Sequence, residues 1–302
     1  IDIDARACYD RIVTSLSGLE GRKWGAPYKL SKFTTTFIES QEYKIRTGFG
    51  ISDTTYEYSE DKPTQGSGQG IAWAGPRWIN SSDTCSQIMK ENCAGVHYHD
   101  PCGSNSVKKC GDYFIDDTAT AVTANTLHDG NDIFQQAQHD EQVHAFTLNA
   151  MGHRIENAKS GYYLMHFVRD SIKPSCGLIH EFEGEITIQE AFDSIPVRMT
   201  RLQPFQAHKT LGCFVAINGQ SKRQFLVVKK QIQEWAAKVR GSFLNKKEKI
   251  MAYEAYIKKT IEYIAPTACM TKQQCAILDS LITPILFHIH NIQRNCSKSV
   301  LY

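Results

Sequence analysis

Residues 112–124 read DYFIDDTATAVTA, and the rest of the chain is best understood outward from this stretch. Three bulky residues, Tyr113, Phe114 and Ile115, run into two adjacent acids, Asp116 and Asp117, and a Thr/Ala/Val run rich in β-branched residues follows. The pattern predicts strand, tight turn, strand, with two carboxylates at a hairpin tip. Adjacent carboxylates repel each other, and a site that gathers them offsets the repulsion with a cation. Magnesium is the natural one, because it takes carboxylate oxygens together with substrate phosphates. Asp is also a common turn residue through its own local hydrogen bonds, so the pair needs support from elsewhere.

That support is at the start of the chain. Residues 1–12, IDIDARACYDRI, alternate apolar and acidic before a helical stretch through Leu16 and Leu19. A strand running into a helix places Asp4 near the strand's C-terminal end, where an alternating side chain faces the hairpin tip. Asp2 shares that side of the strand, and Asp10 either adds a ligand or caps the local turn. The sequence opens inside a core strand with no lead-in, as a piece lacking its N-terminal part would.

Composition sets the frame. The 302 residues suffice for one large domain or two ordinary ones, and 41% apolar with 22% charged residues is a globular balance. The net charge of +2 hides an asymmetry: residues 221–260 hold eleven Lys/Arg against three Glu, so this window is +8 and the remainder −6. A basic segment on an acidic body suits a polyanion guided to a metal-dependent site, although a solvated helix face has the same composition. Ten cysteines occur without a CxxC pair, in a long chain whose opening residues are not expected to be a signal peptide. They are read as reduced, in an intracellular protein of cytoplasm or nucleus, not secreted. No apolar run reaches the roughly 18 residues a membrane span needs.

Between the two acidic stretches, a helix is expected after Pro27 and a two-stranded ribbon over 43–58. The glycine-rich stretch PTQGSGQGIAWAGP covers Pro63–Pro76, where Gln65, Ser67 and Gln69 supply polar contacts and glycines allow close approach to a ligand. Trp78, Ser82, Cys85, Met89 and Cys93 repeat at three and four, an amphipathic helix. Residues 94–109 read as a polar loop. Beyond the hairpin, a helix over Asp132–Met151 stops at Gly152, a loop carries Lys159, and an aromatic strand spans Tyr162–Phe167. From Gln220 the chain turns helical, with an apolar stripe of Phe225, Val228, Ile232, Trp235, Val239 and Phe243. Capping-box patterns at Asn245–Glu248 and Thr271–Gln274 start two more helices, separated by Pro266. The expected fold class is α+β, with a boundary near residue 210.

In this order the residues resemble a reverse transcriptase, most closely those of eukaryotic retrotransposons. Asp4 with Tyr9 five positions on resembles the family's first metal-binding motif, and Phe114-Ile-Asp-Asp117 is similar to its aromatic-x-Asp-Asp hairpin. Gln69-Gly70 through Gly75-Pro76 resembles the template and nucleotide loop, with one residue more than the usual spacing, so that Gln65 and Gln69 compete for the nucleotide contact. Lys159, the strand from Tyr162 and His208–Gly212 resemble the following motifs.

The resemblance implies a polymerase palm, an antiparallel sheet with helices packed on one face, over 1–210 with partial fingers elements. An α-helical thumb-like bundle would follow over 211–302. It implies RNA-dependent DNA synthesis from dNTPs on an RNA template and DNA primer by a two-metal carboxylate mechanism with Mg2+ or Mn2+. Asp4, Asp116 and Asp117 would be catalytic and metal-binding, with Lys159 as a further catalytic group beside the pyrophosphate. Tyr9, Gln65, Gln69 and Gly70 would contact substrate, while Lys229, Lys230, Lys246 and Lys247 hold nucleic acid. Two alternatives remain: a catalytically inactive retroelement fragment that only binds nucleic acid, and a viral RNA-dependent RNA polymerase palm. Ile115, where the viral enzymes carry Gly, and the bulky Tyr9 count against the second.

Overall fold

The computed structural model describes residues 1–6, 8–57, 59, 66, 72–123, 130–169, 174–177, 184–191, 194–290 and 292. In chain order the first half gives β1 (Asp2–Asp4), a 3-10 turn at Cys8–Arg11, α1 (Thr14–Lys23), α2 (Tyr28–Glu39), β2 (Arg46–Thr47) and β3 (Gly50–Ile51). Then come α3 (Ala74–Asn92), β4 (Val96–His99), β5 (Ser106–Lys109), β6 (Gly111–Phe114), β7 (Asp117–Thr120) and α4 (Gly130–Ala150). The second half gives β8 (Gly161–Tyr163), β9 (His166–Arg169), β10 (Pro174–Gly177), β11 (Thr187–Ile188), β12 (Val197–Arg198) and β13 (Thr200–Leu202). A hairpin of β14 (His208–Thr210) and β15 (Cys213–Val215) leads to α5 (Lys222–Arg240), α6 (Lys246–Ala252), a π-helical segment (Tyr253–Lys258), α7 (Lys259–Ile264) and α8 (Lys272–His290). The class is α+β, and the chain divides into two units. Unit 1 is Ile1–Tyr162 with Ile179–Arg201, and unit 2 is Tyr163–Leu178 with Leu202–Tyr302.

In unit 1 the acidic alternation of β1 becomes the middle of a sheet ordered β13-β8-β1-β7-β6. Ile3 pairs with Thr118 of β7, and both are buried. Trp78 and Cys85 of α3, with His144 and Leu148 of α4, line a small void against Ile3 and Thr118, so these two helices cover that face of the sheet. The alternate residues Asp2, Asp4 and Asp117 point to the other face, as period-two geometry requires. Helix α4 stops where Gly152 takes φ +88°, which no side chain adopts cheaply.

The ribbon expected over 43–58 is present: it turns at Thr47–Gly50 and closes with a Tyr43–Tyr56 bridge. Other expectations need correcting. The polar stretch 94–109 is a hairpin, with His97 opposite Lys108 and Tyr98 opposite Val107. The aromatic strand from Tyr162 is two strands, β8 and β9, broken at Leu164–Met165.

In unit 2 the α5 stripe packs as its spacing predicts. Phe225, Val228, Ile232, Trp235 and Val239 join Ile257, Ile264, Leu278, Ile282 and Ile285 in one core. Phe243 lies beyond the end of α5 and is exposed, because the helix stops at Arg240. Asn245 accepts from Glu248 N at 3.0 Å while Glu248 Oε2 accepts from Asn245 N at 2.8 Å. Thr271 and Gln274 form the same reciprocal cap before α8. No helix among the described residues is long and apolar enough to cross a membrane.

Candidate functional site

Antiparallel pairing fixes the geometry of the acids. Ile1 and Thr120 exchange both backbone hydrogen bonds at 2.8 Å, and Ala5 N donates to Asp116 O at 2.9 Å. Counting by two, Asp4 and Asp117 are therefore a non-hydrogen-bonded pair, the class in which facing Cα atoms approach to about 4.5 Å and side chains are closest. Two carboxylates directly opposite each other destabilise a sheet unless something else offsets them.

A loop provides one offset. After α4, Arg6 N donates to Arg154 O (2.8 Å) and Glu156 N donates to Asp4 O (2.7 Å), strapping residues 154–156 alongside the end of β1. Asp4 N in turn donates to Ser160 Oγ at 3.2 Å. Between these anchors Lys159 places Nζ 2.8 Å from Asp4 Oδ2. The Asp4 carboxylate raises the Lys159 pKa, and Glu156 and Asp116 add to it. The lysine is mostly exposed while Asp4 is only 13% exposed, so the pair contributes placement more than stability.

Asp116 sits in the turn, beside Ile115 at φ +54°. A β-branched residue in the left-handed region is strained by about 1–3 kcal/mol, and surrounding contacts must hold it. Trp78 Nε1 donates to the Ile115 carbonyl, and Asp116 O accepts from Ala5 N. The acids are felt behind the strand: burial first, then Asp116, Asp10 and Asp4, push the Cys8 thiol up to about 12. Tyr9 is half-buried, with its ring edge-on to Trp78 at 6.4 Å, and burial, Cys8 and Asp116 raise its pKa. Tyr9, Trp78, Ile79, Ser82, Tyr113 and Ile115 line a cleft of about 400 Å³.

Asp4, Asp116, Asp117, Lys159 and Tyr9 thus converge on one end of the unit 1 sheet. Gln65, Gln69 and Gly70 lie outside the described residues. Gly66 is described, and it contacts chain: its N donates to Ile12 O at 2.8 Å, and a Cβ there would stand 2.6 Å from Asp10 O. Lys229 and Lys230 lie on α5 and Lys246 and Lys247 in the first turn of α6, all in unit 2. Sequence reasoning missed Trp78 as the residue holding the hairpin tip, and Glu156 and Ser160 as the anchors of Lys159. It also missed His153, whose ring packs edge-on against Trp78 at 4.7 Å with both nitrogens unpartnered. Burial, then Arg11, lowers the His153 pKa to about 4.

Among the described residues no three His, Cys, Asp or Glu side chains stand close enough to hold a metal ion by themselves. Magnesium is commonly held by one or two carboxylates with phosphate oxygens completing its shell, and Asp4 with Asp117 present that many hard donors. No protein-family model matches this chain, and no curated protein matches it.

Proposed function

We propose that the chain is an RNA-directed DNA polymerase domain, adding dNTPs to a DNA primer on an RNA template. The observation that carries the reading is the facing pair Asp4 and Asp117, with Asp116 adjoining and the Lys159 ammonium on Asp4. Unlike charges assembled on one sheet end suit a reaction in which an anionic triphosphate arrives and pyrophosphate leaves. Magnesium, when bound by these carboxylates, supplies the positive charge that acidifies a primer 3′-hydroxyl and stabilises the leaving group.

The side chains supply the rest. Lys159 holds its ammonium on Asp4, whose carboxylate raises its pKa, and that ammonium is placed to exchange the carboxylate for the pyrophosphate. Trp78 keeps the Ile115–Asp116 turn in its strained form, fixing where the acids point. Tyr9 presents a rigid ring below the sugar and leaves no space for a 2′-hydroxyl. In unit 2, Lys230, Lys246 and Lys247 are exposed and suit phosphate contacts that hold the template–primer without reading sequence.

One observation favours the competing reading, a retroelement fragment that binds nucleic acid without polymerising: the acids do not form a three-ligand cluster. Primer extension with magnesium separates the two. Asp116→Asn should lower extension by roughly a thousandfold while template–primer affinity stays within about twofold. Equal loss of both would make Asp116 a structural residue, and no extension by the unsubstituted full-length protein would favour binding alone.

A further inference from the structure

Helices α1 and α2 pack with their amphipathicity reversed. Where they face the interior they use small or polar residues: α1 buries Thr14, Ser17 and Glu20, and α2 buries Ser31 along with Ile38. Ser31 Oγ donates to the Gly18 carbonyl at 2.6 Å, and Glu20 Oε2 accepts from Ser81 Oγ at 2.8 Å. The apolar stripe of α2 consequently faces out, with Leu30 at 53%, Phe33 at 57% and Phe37 at 40% exposed. A helix ordinarily turns such a stripe inward, and a contiguous exposed one marks a surface that binds something.

The chemistry of the stripe says what. The Phe33 and Phe37 rings lie 6.1 Å apart and within 29° of parallel. Tyr28 at the start of α2 and Trp24 at the end of α1 are also exposed, each beneath a cation: the Arg22 guanidinium lies 5.1 Å from the Tyr28 ring centroid and Lys23 Nζ 5.9 Å from that of Trp24. Lys29 and Lys32 stand exposed between the aromatic positions, and residues 22–46 carry six Lys/Arg against two Glu. A further cation, Arg77, lies at the far end. Arg77, in the first turns of α3, is 6% exposed with neither terminal nitrogen hydrogen-bonded. Glu39 at the end of α2 acts on its charge, and Trp73, one turn before it, meets Phe37 edge-on at 5.6 Å. A buried guanidinium whose terminal nitrogens make no hydrogen bond is costly, and a further anion beside Glu39 would lower that cost.

A near-parallel exposed Phe33–Phe37 pair, with further exposed rings and cations on the same two helices, matches the stacking platforms that bind unpaired bases and track their phosphates. A polypeptide helix would use the apolar stripe but leave this excess of positive charge unmatched, and duplex nucleic acid keeps its base faces stacked away. We propose that the α1–α2 face binds single-stranded nucleic acid, with Phe33, Phe37 and Tyr28 stacking on bases and Lys29, Lys32 and Arg22 meeting phosphates. The proposal rests on the polymerase reading only for the strand's role as unpaired template.

Fluorescence anisotropy with a labelled oligouridylate, beside a duplex of equal length, tests it in the full chain. Phe33→Ala with Phe37→Ala should weaken oligouridylate binding by tenfold or more. Phe33→Trp with Phe37→Trp should restore it, and duplex affinity should stay within about twofold throughout. Crosslinking of a 5-bromouridine strand to the unsubstituted chain, mapped by mass spectrometry, should mark Tyr28, Phe33 or Phe37 without any substitution. Unchanged oligouridylate affinity in the alanine variant, or crosslinks confined to other elements, overturns the platform. So does sedimentation showing that the chain self-associates through this face and that the alanine variant is monomeric. Loss of oligouridylate binding in the alanine variant, together with absent primer extension by the unsubstituted chain, would keep the platform and reject the polymerase reading. Normal extension with an unaffected oligouridylate would do the reverse.

Discussion

Tyr9 and His153 both meet the indole of Trp78, and each tests a different property of the site. If the Tyr9 ring lies under the ribose, exclusion of ribonucleotides is a steric clash, which needs no added contact to the correct substrate. Tyr9→Ala should therefore admit ribonucleotides while deoxynucleotide incorporation persists, read from primer extension with each nucleotide set. Retained discrimination would make Tyr9 packing alone. His153 reports on pH. Its folded pKa of about 4 lies below the ordinary 6.5, so the unfolded chain binds the extra proton between those values. The stability tied to this ring is complete above pH 6.5 and falls by about 3 kcal/mol as the pH drops through 4. His153→Phe keeps a ring against Trp78 and should flatten that part of the urea-midpoint profile. An unchanged slope would assign acid lability to other groups. That Asp4 faces the hairpin tip was legible because period-two alternation needs only the local chain. The sequence reading paired it with Asp116 and kept Asp117 as support, whereas the register between distant strands sets Asp117 opposite it. The role of Trp78 was not legible, because an indole on an amphipathic helix reads as core. Its donation to a carbonyl 37 residues away is set by tertiary packing.

At the level of elements, the reading succeeded where a single period ran long and failed where the pieces are short. The α5 stripe and the two capping boxes carry their own signals, the first through repeated burial and the second through a fixed three-residue spacing. Hairpin β4–β5 has four-residue strands with mostly exposed side chains, so burial imposes no alternation on its sequence. The break between β8 and β9 likewise falls inside an aromatic run whose composition favours strand throughout. Glycines of the 63–76 stretch were expected to make room for a ligand, yet Gly66 makes room for the backbone of Asp10. It also takes φ +91°. Gly66→Ala should destabilise unit 1 by about 1–3 kcal/mol, measured by urea unfolding. A neutral result would mean that the stretch yields around residue 66 and has no share in placing the turn behind Asp4.

Across the whole chain, charge is the property the sequence displays best, since it needs no fold to be counted. Lys246 and Lys247 occupy the first turn of α6, where the helix dipole disfavours cations, so stability alone does not explain them. Reversing Lys229, Lys230, Lys246 and Lys247 together should weaken duplex binding equally across sequences. If all four meet phosphates, the slope of log affinity against log salt should flatten by up to about 3.6. An unchanged slope would leave those lysines as solvated surface. The division into units has a consequence in time. Hairpin β9–β10 belongs to unit 2 through Tyr163–Leu178, yet the remainder of that unit begins only at Leu202 and runs to the end of the chain. At ribosomal rates of about 5–20 residues per second, the hairpin waits roughly 1–5 s before the next residue of its own unit, Leu202, is made. Unit 1, by contrast, is fully synthesised once Arg201 is added. A nascent chain stalled just beyond that point carries every residue of the acidic site together with an orphaned β-hairpin, and that hairpin is where a chaperone holding the unfinished protein would have most to shield.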